Sequence, residues 1–159
     1  MDILKPKFEK IYISGTQNAS NIAKNIKRAI LESGPASRIV APKLKGKSKF
    51  LTCFNVYIYL RKNVKYVRES GSLQTAKTLP RIIYDKYGDC KHYTTFACSI
   101  LNALGIKCFM RMVSQNYYDP NPTHIYCVAI VNGEEVIVDP CMKTFNNECQ
   151  YKYKYNLKF

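Results

Sequence analysis

Two residue types in this chain could together carry nucleophilic chemistry, namely cysteine and histidine. The chain has seven cysteines and two histidines. Cys90 stands in the stretch YGDCKH, directly before a segment of helical periodicity, so we expect its thiol in the first turn of a helix. The unpaired N–H groups and the positive dipole end of such a turn favour a thiolate and could hold an oxyanion. Gly88 would let the backbone turn sharply, and Asp89 is a plausible N-cap.

A catalytic thiol needs a base, and the two histidines, His92 and His124, are the side chains that could serve. His92 lies two residues along the same predicted helix, about 200° round its axis from Cys90, so the two side chains cannot face each other. His124 is therefore the candidate base.

A predicted hairpin brings an acid to His124. The dipeptide Asn132-Gly133 separates the strand-like segments HIYCVAIV and EEVIVDP, and a two-residue turn of this type fixes the strand register. That register places Asp139 opposite Tyr126, on the same sheet face as His124 and within reach of a hydrogen bond to its ring. A cysteine at a helix start, together with His124 and Asp139 on one sheet face, predicts a Cys-His-Asp triad. Taken singly, His124 could be a satisfied histidine at a strand edge and Asp139 a turn acid.

Apolar periodicity predicts the elements that must hold these residues. Residues 22–30 predict an amphipathic helix, and residues 50–63 favour a buried helix, although a strand is also compatible with their composition. The helix that begins at Cys90 should end at Gly105. Strands are predicted for the segments KCFMRMVSQ, HIYCVAIV and EEVIVDP.

The length of 159 residues allows one ordinary core. We expect an N-terminal extension at 1–49, a compact domain at 50–148 and a Tyr/Lys-rich tail at 149–159. Within the extension, the segment ASRIVAPKLKGKSK has bases, Pro and Gly without periodicity, and it is interpreted as a basic linker after the amphipathic helix.

The net charge of +14 is concentrated in the N-terminal part. Thirteen Lys or Arg and one acid lie between Lys10 and Arg68, whereas six bases and seven acids lie between Glu69 and Met142. A basic arm of this kind fits nucleic acid or an acidic protein assembly as a partner, and equally a solvated Lys-rich face. The first ten residues lack an apolar run of signal-peptide length, so we expect a soluble, non-secreted protein that does not enter a membrane.

The cysteines are odd in number and have no C-x-x-C spacing; they stand at positions 53, 90, 98, 108, 127, 141 and 149. A disulfide framework is therefore not expected, and no common zinc-ligand spacing is present. We expect most of these thiols to be reduced, in a cytoplasmic compartment, and no metal or cofactor to be bound.

Three segments in order, GDCKHYTTFACSILNALGI, THIYCVAI and VIVDP, resemble the transglutaminase-like branch of the papain-like cysteine hydrolases. The likeness extends from about Phe50 to Glu148, and the tail FNNECQYKYKY is similar to versions in bacteriophages and prophages, which would associate the chain with a virion. The resemblance implies an α+β fold in which the cysteine helix packs on an antiparallel sheet.

The same resemblance implies that Cys90 is the nucleophile, His124 the general base and acid, and Asp139 the orienting acid. It also implies an oxyanion-hole side chain upstream of the cysteine, for which Gln74 is the best-placed residue, with the backbone of Cys90 as its partner. The chain has no tryptophan, which weakens the case for calcium-dependent crosslinking of the animal transglutaminase type. Thiol hydrolysis of a peptide or amide bond in a protein or peptide substrate is the leading interpretation. A non-catalytic virion module and acyl transfer to an amine are the alternatives.

Overall fold

The computed structural model describes residues 6–13 and 18–159, so residues 1–5 and 14–17 of the predicted N-terminal extension lie outside the described residues. The helices are α1 (Ala19–Glu32), α2 (Gly34–Leu44), α3 (Lys49–Asn63), α4 (Leu79–Asp85) and α5 (Cys90–Ala103). The strands are β1 (Lys10–Tyr12), β2 (Lys65–Tyr66), β3 (Thr75–Lys77), β4 (Tyr87–Gly88), β5 (Cys108–Ser114), β6 (His124–Val131), β7 (Glu134–Val138) and β8 (Tyr153–Leu157). No helix within these described ranges is long and apolar enough to cross a membrane.

The helix α5 forms the centre of the core. Every residue from Lys91 to Leu101 is buried, and its apolar residues Phe96 and Ile100 are fully enclosed. The other four helices pack round α5, and β5 and β6 cover its remaining side. Cys90 therefore begins a helix whose position is fixed from all directions.

The main sheet is antiparallel, with the strand order β7-β6-β5-β8. The turn between β6 and β7 has positive φ at both central residues, 53° at Asn132 and 80° at Gly133, as a two-residue hairpin turn requires. Val128 pairs with Ile137, so the register predicted from this turn is confirmed. Helices packed on an antiparallel sheet confirm the predicted α+β class.

The segment interpreted as a basic linker is largely helical, which corrects that interpretation. The helix α2 follows α1 after one residue, with Pro35 in its first turn, and it packs on α5 through small buried residues such as Ala36 and Ala41. Small residues leave little apolar signal in a sequence full of bases and prolines, and this explains why the pattern did not predict the helix.

The segment interpreted as a tail contains an ordered strand. The strand β8 pairs with β5 along its whole length, from Met110 opposite Leu157 to Ser114 opposite Tyr153. Its sequence YKYNL has the alternation of an edge strand, which the abundance of Lys and Tyr obscured. The predicted limits of the three segments stay a prediction.

Gly88 is needed for space rather than for a sharp turn. Among the described residues, positive φ occurs in glycine only at Gly105 and Gly133, and the left-handed residue before β4 is Lys86, with φ of 59°. A Cβ built on Gly88 would stand 2.7 Å from the Cβ of His92 and 2.9 Å from its ring nitrogen Nδ1. The predicted reason for this glycine was therefore wrong.

We expect Gly88→Ala to lower the free energy of unfolding by about 2 kcal/mol, because the buried His92 ring has no room to retreat. Gly71→Ala is the matched control, since a Cβ at Gly71 meets no atom within 4 Å. Urea unfolding followed by circular dichroism measures both variants. Equal unfolding midpoints for the two would contradict the crowding by His92.

Candidate active site

The start of α5 is held by a capping box. The side chain of Asp89 accepts a hydrogen bond from the backbone N–H of Lys91 at 3.1 Å, and Nδ1 of His92 accepts one from the N–H of Asp89 at 3.0 Å. Asp89 is therefore the N-cap that the sequence predicted. Its carboxylate also forms an ion pair with Nζ of Lys91, which in turn lies 3.2 Å from Glu69. The negative charge beside Cys90 is thus balanced locally.

His92 lies away from the thiol, as its helical position predicted. Its ring is buried, and Nε2 lies 3.1 Å from the carbonyl oxygen of Thr75. The ring therefore connects the first turn of α5 to β3. His92 therefore stabilises the first turn of α5, the turn that Cys90 begins.

Cys90 is the first residue of α5 and is half-buried. It lines a cleft of about 720 Å³ together with His124. This space, hereafter the cleft, is large enough for a segment of peptide, since small-molecule sites occupy about 300–1,000 Å³. The thiol is thus accessible from outside.

His124 and Asp139 are joined by the hydrogen bond that the hairpin register predicted. His124 is the first residue of β6, and its Nε2 lies 2.7 Å from Oδ2 of Asp139. The other carboxylate oxygen, Oδ1, accepts a bond from the N–H of Cys141 at 3.1 Å. The side chain of Asp139 is 2% exposed, so its charge acts on the ring with little screening by water.

The helix α3 holds the segment that follows Asp139. The hydroxyl of Tyr57 donates to the carbonyl oxygen of Met142 at 2.7 Å, and Arg61 donates to that of Pro140 at 3.1 Å. Sequence reasoning did not identify Tyr57 and Arg61. The available signal was a tyrosine and an arginine one helical turn apart in the predicted helix.

The proton of His124 is held firmly. Burial lowers the pKa of His124, but the hydrogen bonds and charges of Asp139 and Cys90 outweigh burial and raise it to about 10. Because Nε2 is used by Asp139, Nδ1 is the ring nitrogen that can exchange a proton with the Cys90 sulfur. The geometry favours an imidazolium beside the Cys90 sulfur.

Sequence comparison relates the chain to a known family. The family model described as the transglutaminase-like superfamily matches residues 36–155, from α2 to β8. The chain belongs to this superfamily. The match confirms the resemblance drawn from the three segments around Cys90, His124 and Asp139. No curated protein matches the chain.

Solved structures superpose on this chain at low sequence identity, one of them with a TM-score above 0.5. A structure described as a "putative protease" from Parabacteroides distasonis ATCC 8503 superposes with a TM-score of 0.60 at 16% identity, over 76% of this chain and 26% of that one. A "putative cysteine protease" from Cytophaga hutchinsonii superposes with a TM-score of 0.48 at 19% identity, over 76% of this chain and 37% of that one. A structure described as a "TGase" superposes with a TM-score of 0.48 at 14% identity, over 84% of this chain and 36% of that one. This transglutaminase-like chain thus spans about a quarter to a third of the length of these structures.

Gln74, the candidate for the oxyanion hole, lies in the wall of the cleft. Its side-chain Nε2 donates to the carbonyl oxygen of Ser70 at 2.7 Å, and its own carbonyl accepts from the N–H of Ile13 at 3.0 Å. The amide group is therefore engaged within its own loop. Its role toward an oxyanion stays a prediction.

A polar network supports the ring of His124 from the side of Tyr126. The two ring centroids are 5.5 Å apart, and the Tyr126 hydroxyl donates to Glu148 at 2.7 Å. Glu148 also accepts from Arg111, a guanidinium that is 1% exposed and makes two further bonds to Glu135. Sequence reasoning missed Arg111, whose signal was an arginine inside the apolar strand CFMRMVS.

Each of the remaining thiols either has a raised pKa or lies outside the cleft. Burial raises the pKa of Cys149, which also lines the cleft. Burial likewise raises the pKa of the buried Cys53, in this case to about 12. Hydrogen bonds from Cys127 and Cys98 lower the pKa of Cys108 to about 5, but Cys108 lies on β5 and does not line the cleft. An accessible cleft, rather than acidity alone, distinguishes Cys90 from Cys108.

Two groups of side chains could hold a metal ion, judged by ligand atoms within 4.8 Å of one another in the described part of the chain. One contains the thiols Cys98, Cys108 and Cys127; the other contains His124, Asp139 and Cys141. In the second group the direct bond from His124 to Asp139 already occupies ligand atoms. The expectation that this site needs no metal stays a prediction.

Proposed function

We propose that this chain hydrolyses a peptide or amide bond, with Cys90 as the nucleophile, His124 as general base and acid, and Asp139 as the acid that orients His124. The observation that carries the proposal is the placement of the His124 ring. It bonds to Asp139, interacts with Cys90, and lines the same cleft as that thiol. Membership of the superfamily supports the chemistry, and the structural relative from Parabacteroides distasonis is described as a putative protease.

The first half of the reaction forms a thioester. The Cys90 sulfur attacks the carbonyl carbon of the bound amide, and the carbon–oxygen double bond opens to a tetrahedral oxyanion. The oxyanion then collapses, the carbon–nitrogen bond breaks, and the His124 imidazolium gives its proton to the departing amine. The sulfur is now bound in the uncharged thioester, and His124 is left neutral.

The second half of the reaction consumes water. Neutral His124 takes a proton from a water molecule in the cleft while the oxygen attacks the thioester carbon. Collapse of the second tetrahedral intermediate releases a carboxylic acid and returns the thiolate beside the imidazolium. Asp139 keeps the ring oriented through both halves, because its bond to Nε2 leaves Nδ1 toward the sulfur.

The developing oxyanion would lie at the N-terminus of α5. The backbone N–H of Cys90 is one of the unpaired donors of the first helical turn, and the side chain of Gln74 is the second donor in the proposal. Gln74 must leave the carbonyl oxygen of Ser70 to act. Gln74 lines the same cleft as Cys90, on the loop before β3, so the proposal requires its side chain to rotate toward that thiol.

Selective alkylation tests whether Cys90 is the activated thiol. Iodoacetamide at pH 7, followed by peptide mapping with mass spectrometry, should modify Cys90 at least about tenfold faster than the other cysteines, because its sulfur interacts with the His124 ring in an accessible cleft. Cys90→Ala should abolish the fast phase.

Cys108→Ala is the matched control for alkylation, because Cys108 is the second thiol whose pKa is lowered. The fast phase should survive this change. Uniform labelling of the cysteines, or a fast phase that disappears in Cys108→Ala and persists in Cys90→Ala, would remove the basis of the proposed mechanism.

A further inference from the structure

A second cavity adjoins the cleft. It has a volume of about 480 Å³ and lies where α1, β5, β8 and residues 120–122 meet. Its walls are mainly apolar and include Ala23, Met112, Tyr155 and Leu157. We call this space the side cavity.

The side cavity and the cleft share part of their walls. Ala19, Met112 and Pro122 line both spaces. Across the sheet, Met112 pairs with Ile125, the neighbour of His124, and on its other side with Tyr155 of β8. Since adjacent strands lie about 4.8 Å apart, the wall at Tyr155 is about 10 Å from the strand that carries His124. An extended peptide covers that distance in about three residues.

The charges around these two spaces favour an acidic ligand. Lys24 and Lys27 stand one helical turn apart on α1 and line the side cavity, and Arg68 lines the cleft. Within residues 6–13 and 18–159, none of these three cations forms an ion pair.

The acids of the cleft are already engaged. Glu69 pairs with Lys91 and accepts bonds from Thr75, while Asp89 caps α5 and also pairs with Lys91. The surplus charge of the two connected spaces is therefore positive, which attracts carboxylates.

We propose that the side cavity binds a large apolar side chain of the substrate, within about three residues of the bond that Cys90 attacks, and that Lys24 and Lys27 bind a neighbouring carboxylate. The substrate class is thus an acidic peptide or protein segment with an aromatic or long aliphatic residue. The inference rests on the proposed function for the position of the cleaved bond. Its binding step does not require cleavage.

Peptide binding to the Cys90→Ala protein tests this inference without turnover. The probes are fluorescein-labelled Gly/Ser decapeptides that carry Phe-Asp or Asp-Phe at the centre, and fluorescence polarisation measures Kd. Replacing Phe by Ser in the tighter peptide should weaken binding about tenfold or more, because burial of the ring is lost. Replacing Asp by Asn should weaken binding about threefold, as expected for partly exposed ion pairs.

A pair of charge variants isolates the lysines. In the Cys90→Ala protein, the double variant Lys24→Gln, Lys27→Gln should remove the difference between the Asp and Asn peptides and leave the Phe effect in place. The double variant Lys45→Gln, Lys47→Gln changes the net charge equally at exposed positions outside both spaces and should keep the difference.

Three results would overturn the inference. These are no binding of any probe at millimolar concentration, no preference for Phe over Ser, or an equal loss of the Asp preference in both double variants. Failure of the proposed hydrolysis would be detected separately, as loss of selective alkylation at Cys90 in the otherwise unchanged protein.

Discussion

Cys90→Ala is expected to lower the hydrolysis of a peptide mixture at least about 10,000-fold, to the background rate. Loss of the nucleophile removes the covalent route, and single knock-outs of such residues remove nearly all of the rate that the whole triad supplies. Mass spectrometry of a complex peptide mixture, incubated in ¹⁸O-labelled water, measures the effect. Each cleaved bond should gain one ¹⁸O atom in its new carboxylate, because water releases the thioester.

Cys108→Ala serves as the control, because it removes a thiol of lowered pKa outside the cleft. Its activity should stay within about threefold of the unchanged protein, as expected for a change remote from the chemistry. Cleavage that persists in Cys90→Ala would contradict the assignment of the nucleophile. Products joined to an added amine, without ¹⁸O in the acyl fragment, would instead indicate acyl transfer through the same thioester.

The parts of the site that were predictable from the sequence depend on local rules. The Asn132-Gly133 turn sets the register of β6 and β7, and that register alone brings His124 to Asp139. The extent of α5 was equally readable, because a cap at its start, a helical apolar pattern and a glycine beyond its end agree. The approach of Cys90 to His124 needs packing between a helix and a strand, and the family resemblance supplied it.

The parts that were missed depend on long-range contacts. The helix α2 is stabilised by packing of small residues on α5, and β8 by pairing with a strand about forty residues earlier, so neither gives a strong local pattern. The need for glycine at position 88 arises from the ring of His92, which no propensity encodes. The side cavity likewise has no local signal, because α1, β5 and β8 are far apart in the chain.

The basic N-terminal region has a more specific place in the fold than its composition indicated. Composition suggested an arm for nucleic acid or an acidic assembly, and that partner stays a prediction. In the structure, α1 packs on α5, and two of its lysines line a space beside the cleft. Part of the positive charge therefore lies where it can act on a substrate.

Asp139→Asn is expected to lower kcat/KM for peptide hydrolysis about 1,000-fold and to move the alkaline limb of its pH profile to lower pH. The change keeps the shape of the side chain but removes the charge that orients and stabilises the His124 imidazolium. With Asp139 and Cys90 raising its pKa to about 10, His124 should stay protonated, and activity should persist, until the pH approaches 10. A profile from pH 5 to 11 measures both effects.

Stability supplies an independent measure of the same bond, because it needs no substrate. A histidine whose pKa rises on folding contributes stability that is fully present below its unfolded pKa of about 6.5 and is lost as the pH rises through its folded pKa, about 10 here. The urea midpoints of the unchanged protein and Asp139→Asn should therefore differ most near pH 6.5 and converge toward pH 10. Asp119→Asn, in the loop before β6, should alter neither profile. An alkaline limb that Asp139→Asn leaves in place would mean that another group sets it, and His124 would lose its assignment as the acid that protonates the leaving amine.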